Sequence, residues 1–308
     1  MECPKCHFDH PLQPADTCLR CGIVFSRYAA TAAAAAAAPS GAGAAPAVAL
    51  ERPEPPLSAD ELAEIQKKAR HELTCRVFAL PGALLLGWLT ASAMPMLAGF
   101  LRMWTHESGH AITAWLCGYV AIPTAWFTII FPGRQRGLSL LLAAGLAFGG
   151  YVAWQRKRWF WVATTAAALV LLLLGGTRTD YRAQGLITFG GDAGSFFVST
   201  ILMATFYARP ESAMVRRQLR WVLLVFGAIA FMDAYATWSG GFEKIAEWLE
   251  DAERGPSDLM QLTQYYGWPI GEMQRRFLSV AHWCFFALAA MYAAGIVQAR
   301  QRKSAVAP

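Results

Sequence analysis

The strongest constraint on this chain is a series of long apolar runs confined to 76–297: 77–93, 95–118, 136–154, 159–176, 193–208, 219–239 and 278–298. Most approach the roughly 17–25 residues that a helix needs to cross a hydrocarbon core, with 193–208 marginal in length. Composition agrees, because 56% of residues are hydrophobic against roughly 45–50% in soluble domains. The expected fold is an all-α polytopic membrane protein with about six to seven transmembrane helices. A net charge of +6 could suggest nucleic acid, but the cations gather beside apolar runs, at 155–158, 216–220 and 300–303. Such clusters mark membrane edges. The first adequate apolar run begins near Val77, so no cleavable signal peptide is expected and the first span would act as its own insertion signal. The paired half-repeats of transporters are missing.

The head belongs to a different class. Residues 1–28 carry two CxxC pairs, Cys3/Cys6 and Cys18/Cys21, separated by eleven residues. Each CxxC turn can aim two thiolates at one ion, and two turns close a tetrahedral four-cysteine zinc site whose binding energy folds a piece too small to bury a core. The segment resembles the zinc ribbons that begin many bacterial proteins. Disulfides, or c-type haem attachment at "CPKCH", are the competing readings, but haem would leave the second pair unexplained. Thiols kept for zinc imply a reducing compartment, hence a cytosolic ribbon on a bacterial inner-membrane protein. A closed four-thiolate site leaves no position for chemistry, so the ribbon suits a cytosolic protein partner, and it has too few basic residues to indicate nucleic acid. Residues 29–57 form an Ala/Pro/Gly-rich flexible linker. At Ser58 to Glu61 an SxxE capping box opens an amphipathic juxtamembrane helix over 58–76. The remainder, 77–300, is the membrane domain.

Within the second run stands "THESGHA", which places His106, Glu107 and His110 in an HExxH pattern. Helical positions four apart share a face, so both imidazoles can ligate one Zn²⁺ while Glu107 takes a proton from water beside the ion. In the middle of an apolar helix each unpartnered ionisable group costs at least ~2.5–3.5 kcal/mol. A metal or a wet cavity offsets that cost more simply than a polar patch shared between helices.

"HESGHA" resembles the HExGH-Ala motif of the site-2 protease family of intramembrane zinc metalloproteases, and Gly118 follows where that family tends to place a glycine. A second similarity, to shorter bacterial site-2 protease-like membrane proteins, runs through "AFMDAY" and "SDLMQLTQYYGWP". The resemblance implies a helical membrane enzyme hydrolysing peptide bonds of membrane-embedded or juxtamembrane protein substrates. It also implies an aspartate as third ligand, usually within LDG, a sequence absent here. Three aspartates compete. Asp233 lies about fifteen residues into its run, a depth similar to that of the histidines if every run crosses. Asp192 opens its run and so lies near an edge, and Asp258 has an alternative role as a helix cap. Depth favours Asp233. The expected site is therefore His106, His110 and Asp233 around one catalytic Zn²⁺, with Glu107 as general base, plus a structural Zn²⁺ on Cys3, Cys6, Cys18 and Cys21.

Other features read more plainly. Tyr119–Phe131 is too short to span and carries Pro123, which suggests a re-entrant or strand-like piece. Gly240–Gly271 suggests two short surface helices. His282 reads as an interfacial residue, and Cys75, Cys117 and Cys284 as packed thiols. A catalytically inactive scaffold or sensor keeping the same fold is the second functional expectation. Seven crossings from a cytosolic head would put all three basic clusters outside, against the positive-inside rule. One crossing between Arg76 and Phe131 is therefore miscounted, or the head lies outside.

Overall fold

A computed structural model describes residues 24–25, 59–208, 212, 215, 217–240 and 257–305. All but the first two belong to the unit Leu57–Pro308. The cysteines of the expected ribbon, the 29–57 linker and the acidic segment 241–256 lie outside the described residues.

The described chain is mostly helical: α1 (Ala59–Ala93), α2 (Pro95–Leu116), α3 (Arg136–Gln155), α4 (Trp159–Gly176), α5 (Asp180–Ala204), α6 (Leu219–Ser239), the single turn α7 (Asp258–Met260) and α8 (Ile270–Ala305). Among the described residues, five helices are long and apolar enough to cross a membrane, namely Asp60–Ala93, Arg136–Gln155, Asp180–Tyr207, Leu219–Ser239 and Ile270–Gln301. Two of the expected spans are not among them. The apolar part of α4, Trp161–Gly176, is shorter, and α2 carries Arg102, His106, Glu107 and His110 along its length.

The junction between α1 and α2 corrects the crossing count. Only Met94 separates them, and the bonds Met94 N–H to Thr90 O (2.8 Å) and Ala98 N–H to Met94 O (3.1 Å) carry the helical ladder through it. Pro95 has no N–H and pushes the preceding residue out of the α region, which is why Met94 sits at φ −135°, ψ 61°. One residue kinks a helix; it cannot reverse one. The ends agree, since the Tyr207 hydroxyl donates to Arg76 O at the C-terminal end of α5, while Tyr119 donates to Asp180 at its N-terminal end. Residues 76–119 thus traverse the bundle once, where the apolar runs suggested two crossings.

The other helices fall into register with those two ends. Arg220, at the start of α6, pairs with Glu72, and Trp238 O near its end accepts from Gln274 at the start of α8. Arg76 reaches back to Gly295 O near the C-terminus of α8. The core between α1, α5, α6 and α8 is aromatic: Phe196 meets Phe231 edge-on at 5.3 Å, and Trp238 stacks on Phe277 at 4.0 Å. Such pairs hold through packing, which suits a bundle whose outer face gains nothing from water.

Tyr119–Phe131 enters an antiparallel hairpin, β1 (Tyr119–Pro123) and β2 (Thr128–Arg134), with Ala121 opposite Ile130 and Pro123 opposite Thr128. Gly118, at φ +85°, makes the left-handed turn out of α2 that a side chain would resist. The α3–α4 hairpin begins beside that turn, with Gln135 N–H bonded to Gly118 O. It leaves Leu140, Leu141 and Phe148 about 70% exposed, a surface made for lipid rather than water.

Candidate metal centre

Four separate pieces of chain converge on the middle of α2. The HExxH helix packs against α5 through glycines at closest approach. A Cβ on Gly109 would overlap Gly190 O and stand 2.6 Å from Gly194 Cα. That proximity puts the α5 backbone beside both imidazoles.

Each imidazole is oriented by its Nδ1. For His106 the partner is Asp192 Oδ1 at 3.1 Å, and for His110 it is Ile187 O at 2.7 Å. A carboxylate and a carbonyl can only accept, so both Nδ1 atoms carry a proton and both rings turn Nε2 inward. The two Nε2 atoms lie 3.1 Å apart. Asp258 Oδ2 lies 3.0 Å from the first and 2.9 Å from the second. It is sealed from solvent, yet accepts no hydrogen bond of good geometry. As a carboxylate, Asp258 can take a hydrogen bond from a protonated Nε2 or coordinate a cation held between the rings.

With the rings neutral, three acceptor lone pairs meet, an arrangement that a cation at their centre would relieve. Ligand atoms around tetrahedral zinc are separated by roughly 3.3 Å, close to what is seen. Gly191 supplies the remaining room. A Cβ there would stand 2.5 Å from His110 Nε2 and 2.6 Å from His106 Cε1, inside the cradle. Among the described residues, His106, His110 and Asp258 form the group able to hold a metal ion.

The third donor differs from the depth-based expectation. Asp233 stays with Arg102, 3.4 Å from Nη1, and is not at the histidines. Its depth match assumed two crossings where the chain makes one. Asp192 is no edge residue, because its helix starts twelve positions earlier at Asp180. It serves His106 from behind and binds Arg102 Nη2 at 2.5 Å. Asp258 is not the cap of its turn: the Ser257 hydroxyl accepts from Met260 N–H, which frees the aspartate for the histidines.

Glu107 is buried, and its Oε2 accepts from the Thr128 hydroxyl of β2 at 2.7 Å. It lines, with both histidines, Asp258, Arg102 and Trp126, a cavity of about 620 Å³. Arg102 is tied to Asp192, Asp233 and Thr237. It and Thr128 escaped the sequence reading, although Arg102 precedes His106 by one turn on the same face. Elsewhere, Cys117 and Cys284 are buried free thiols, Cys75 contacts His71, and His282 packs near Tyr235. The chain has no match among family models, curated proteins or solved structures.

Proposed function

We propose that this chain is an intramembrane zinc metalloprotease, similar to the site-2 protease family, that hydrolyses peptide bonds of membrane-embedded or juxtamembrane proteins. His106, His110 and Asp258 hold the catalytic Zn²⁺. Cys3, Cys6, Cys18 and Cys21 hold a structural one. The observation that carries the reading is the meeting of three possible ligand atoms, within 3.1 Å of one another, next to a buried glutamate on the HExxH helix.

When bound, Zn²⁺ supplies Lewis acidity, polarising a carbonyl and acidifying water. The protein's own groups do the rest. Asp192 and Ile187 O fix the imidazole tautomers, which raises ligand basicity and prevents the rings from turning. Thr128 holds one oxygen of Glu107, and the other is left to take the proton from water and pass it to the departing amine. Trp126 and Phe127, more than half exposed beside the cavity, offer apolar surface to a substrate segment.

The membrane orientation follows the basic residues. With α1 and α2 as one crossing, Arg217, Arg220 and Arg300 fall at the end where α1 begins. This arrangement obeys the positive-inside rule with a cytosolic ribbon. The centre then lies roughly 18 Å from the opposite end, counting twelve residues of α5 from Asp180 to Asp192.

The test is purified full-length protein with and without Glu107→Gln, assayed for zinc and for cleavage of co-expressed single-span membrane substrates. Expected are two zinc ions in both forms, with cleavage falling about 10³-fold or more in the variant. An unmodified protein that holds both ions and cuts nothing across a broad panel would make the inactive scaffold or sensor the better reading.

A further inference from the structure

The tip joining α3 to α4 carries chemistry that the metal centre does not use. Arg156, Lys157 and Arg158 are consecutive and exposed, and the sequence contains no carboxylate between Glu107 and Asp180. Among the described residues none of the three cations has an ion-pair partner. The backbone here closes a Schellman turn, with Arg158 N–H on Ala153 O and Lys157 N–H on Trp154 O, both at 2.8 Å. Its left-handed position is Lys157, at φ 51°. Glycine is the residue that fits there without strain, and a lysine costs roughly 1 kcal/mol. A cation is thus kept where backbone geometry prefers none.

Behind the tip is a hollow of about 250 Å³ between the two helices, floored by Gly149, Val152, Ala153 and Thr165, with Arg156 and Arg158 at its mouth. Gly149 leaves it open, since a Cβ there would have no neighbour nearer than 3.8 Å. Trp161 lines the hollow, and Trp154 and Trp159 adjoin the tip in sequence, each of the three at least half exposed. An apolar floor, a cationic rim and indoles at one level match a phospholipid at the interface: acyl chain in the hollow, phosphate on the guanidiniums, indoles among the headgroups.

We propose that the α3–α4 tip is a binding site for one anionic phospholipid, held by its phosphate on Arg156 and Arg158 with its acyl chain against Gly149, Val152 and Ala153. A zwitterionic headgroup carries the same phosphate but brings its own cation beside Arg156, Lys157 and Arg158, which an anionic headgroup does not. The site does not depend on the chemistry at His106, so it stands or falls apart from the protease reading.

The test uses the full chain in neutral detergent micelles, titrated with phosphatidylglycerol or with phosphatidylcholine, and counts retained lipid by native mass spectrometry. Expected is one tightly retained phosphatidylglycerol and weaker phosphatidylcholine. Arg156→Gln with Arg158→Gln should lower phosphatidylglycerol affinity about 25-fold, roughly fivefold per cation. Val152→Phe keeps every charge and fills the hollow, and should lower affinity as well. Equal retention of the two lipids, an undiminished affinity in either variant, or displacement by equimolar inorganic phosphate would overturn the assignment. Val152→Phe retaining full affinity would reduce the tip to general surface attraction.

Discussion

At the Arg76 end of the bundle a single carboxylate, Glu72, lies between two guanidiniums, 2.8 Å from Arg76 Nε and 2.9 and 3.0 Å from the two Nη atoms of Arg220. Halfway along the bundle the proportion is reversed: Asp192 and Asp233 both bind Arg102, and Glu107 and Asp258 line the same cavity. The first cluster ties elements together. Arg76 also bonds Gly295 O, and Arg220 lies over the Phe206 ring at 5.1 Å. The second gathers more carboxylates than guanidiniums and keeps a buried Asp258 oxygen with no hydrogen-bond donor. Buried charge by itself is therefore no mark of function in this molecule; buried charge left unbalanced around a cradle is.

The contrast can be broken most sharply at Gly191, where an added methyl would occupy the cradle. Gly191→Ala is expected to abolish zinc at the membrane centre and leave one ion per chain, read by metal analysis. Asp258→Asn should follow, weakening that ion by at least ~10²-fold. Asp233→Asn acts only through Arg102 and should stay under the 10–100-fold typical of groups behind the ligands. Equal losses in the two would mean that the carboxylates share the ligand role. Glu72→Gln should leave zinc unchanged while removing about 2–3 kcal/mol of stability, since it strands two buried guanidiniums. Denaturant unfolding in mixed micelles measures it, and a loss of zinc there would erase the distinction between the clusters. The smallest effect belongs to Thr128→Val, which frees Glu107 from its positioning bond and should lower kcat about tenfold with zinc content intact.

What was legible in the sequence follows from distance along the chain. His106, Glu107 and His110 are fixed by one helical turn, so their spacing suffices. Asp258 lies about 150 residues away in a connector, and "PSD" there reads as a cap whichever residue does the capping. Ser257 and Asp258 can be told apart only once their side chains are seen. Asp192 was misplaced because apolar content rises at Ala193, whereas its helix starts earlier, where the Thr179 side chain accepts from Arg182 N–H. Hydropathy marks where a helix could meet lipid, not where it begins. The "MP" at Met94 and Pro95 was visible too, but a proline between two apolar runs looks the same whether the chain kinks or turns back.

The kink at Met94 also has a mechanical meaning. His106 lies twelve residues beyond it, about 18 Å along a stiff helix, so rotating α2 by ~10° at that joint would swing the imidazole ~3 Å. Productive geometry tolerates on the order of 0.5 Å, which corresponds to roughly 2°. The interlocked backbones of Gly109, Gly190 and Gly194 therefore act as the stop on a lever. Any rotation imposed at that joint reaches His106 and His110 as a displacement that grows with the arm, unless the stop holds.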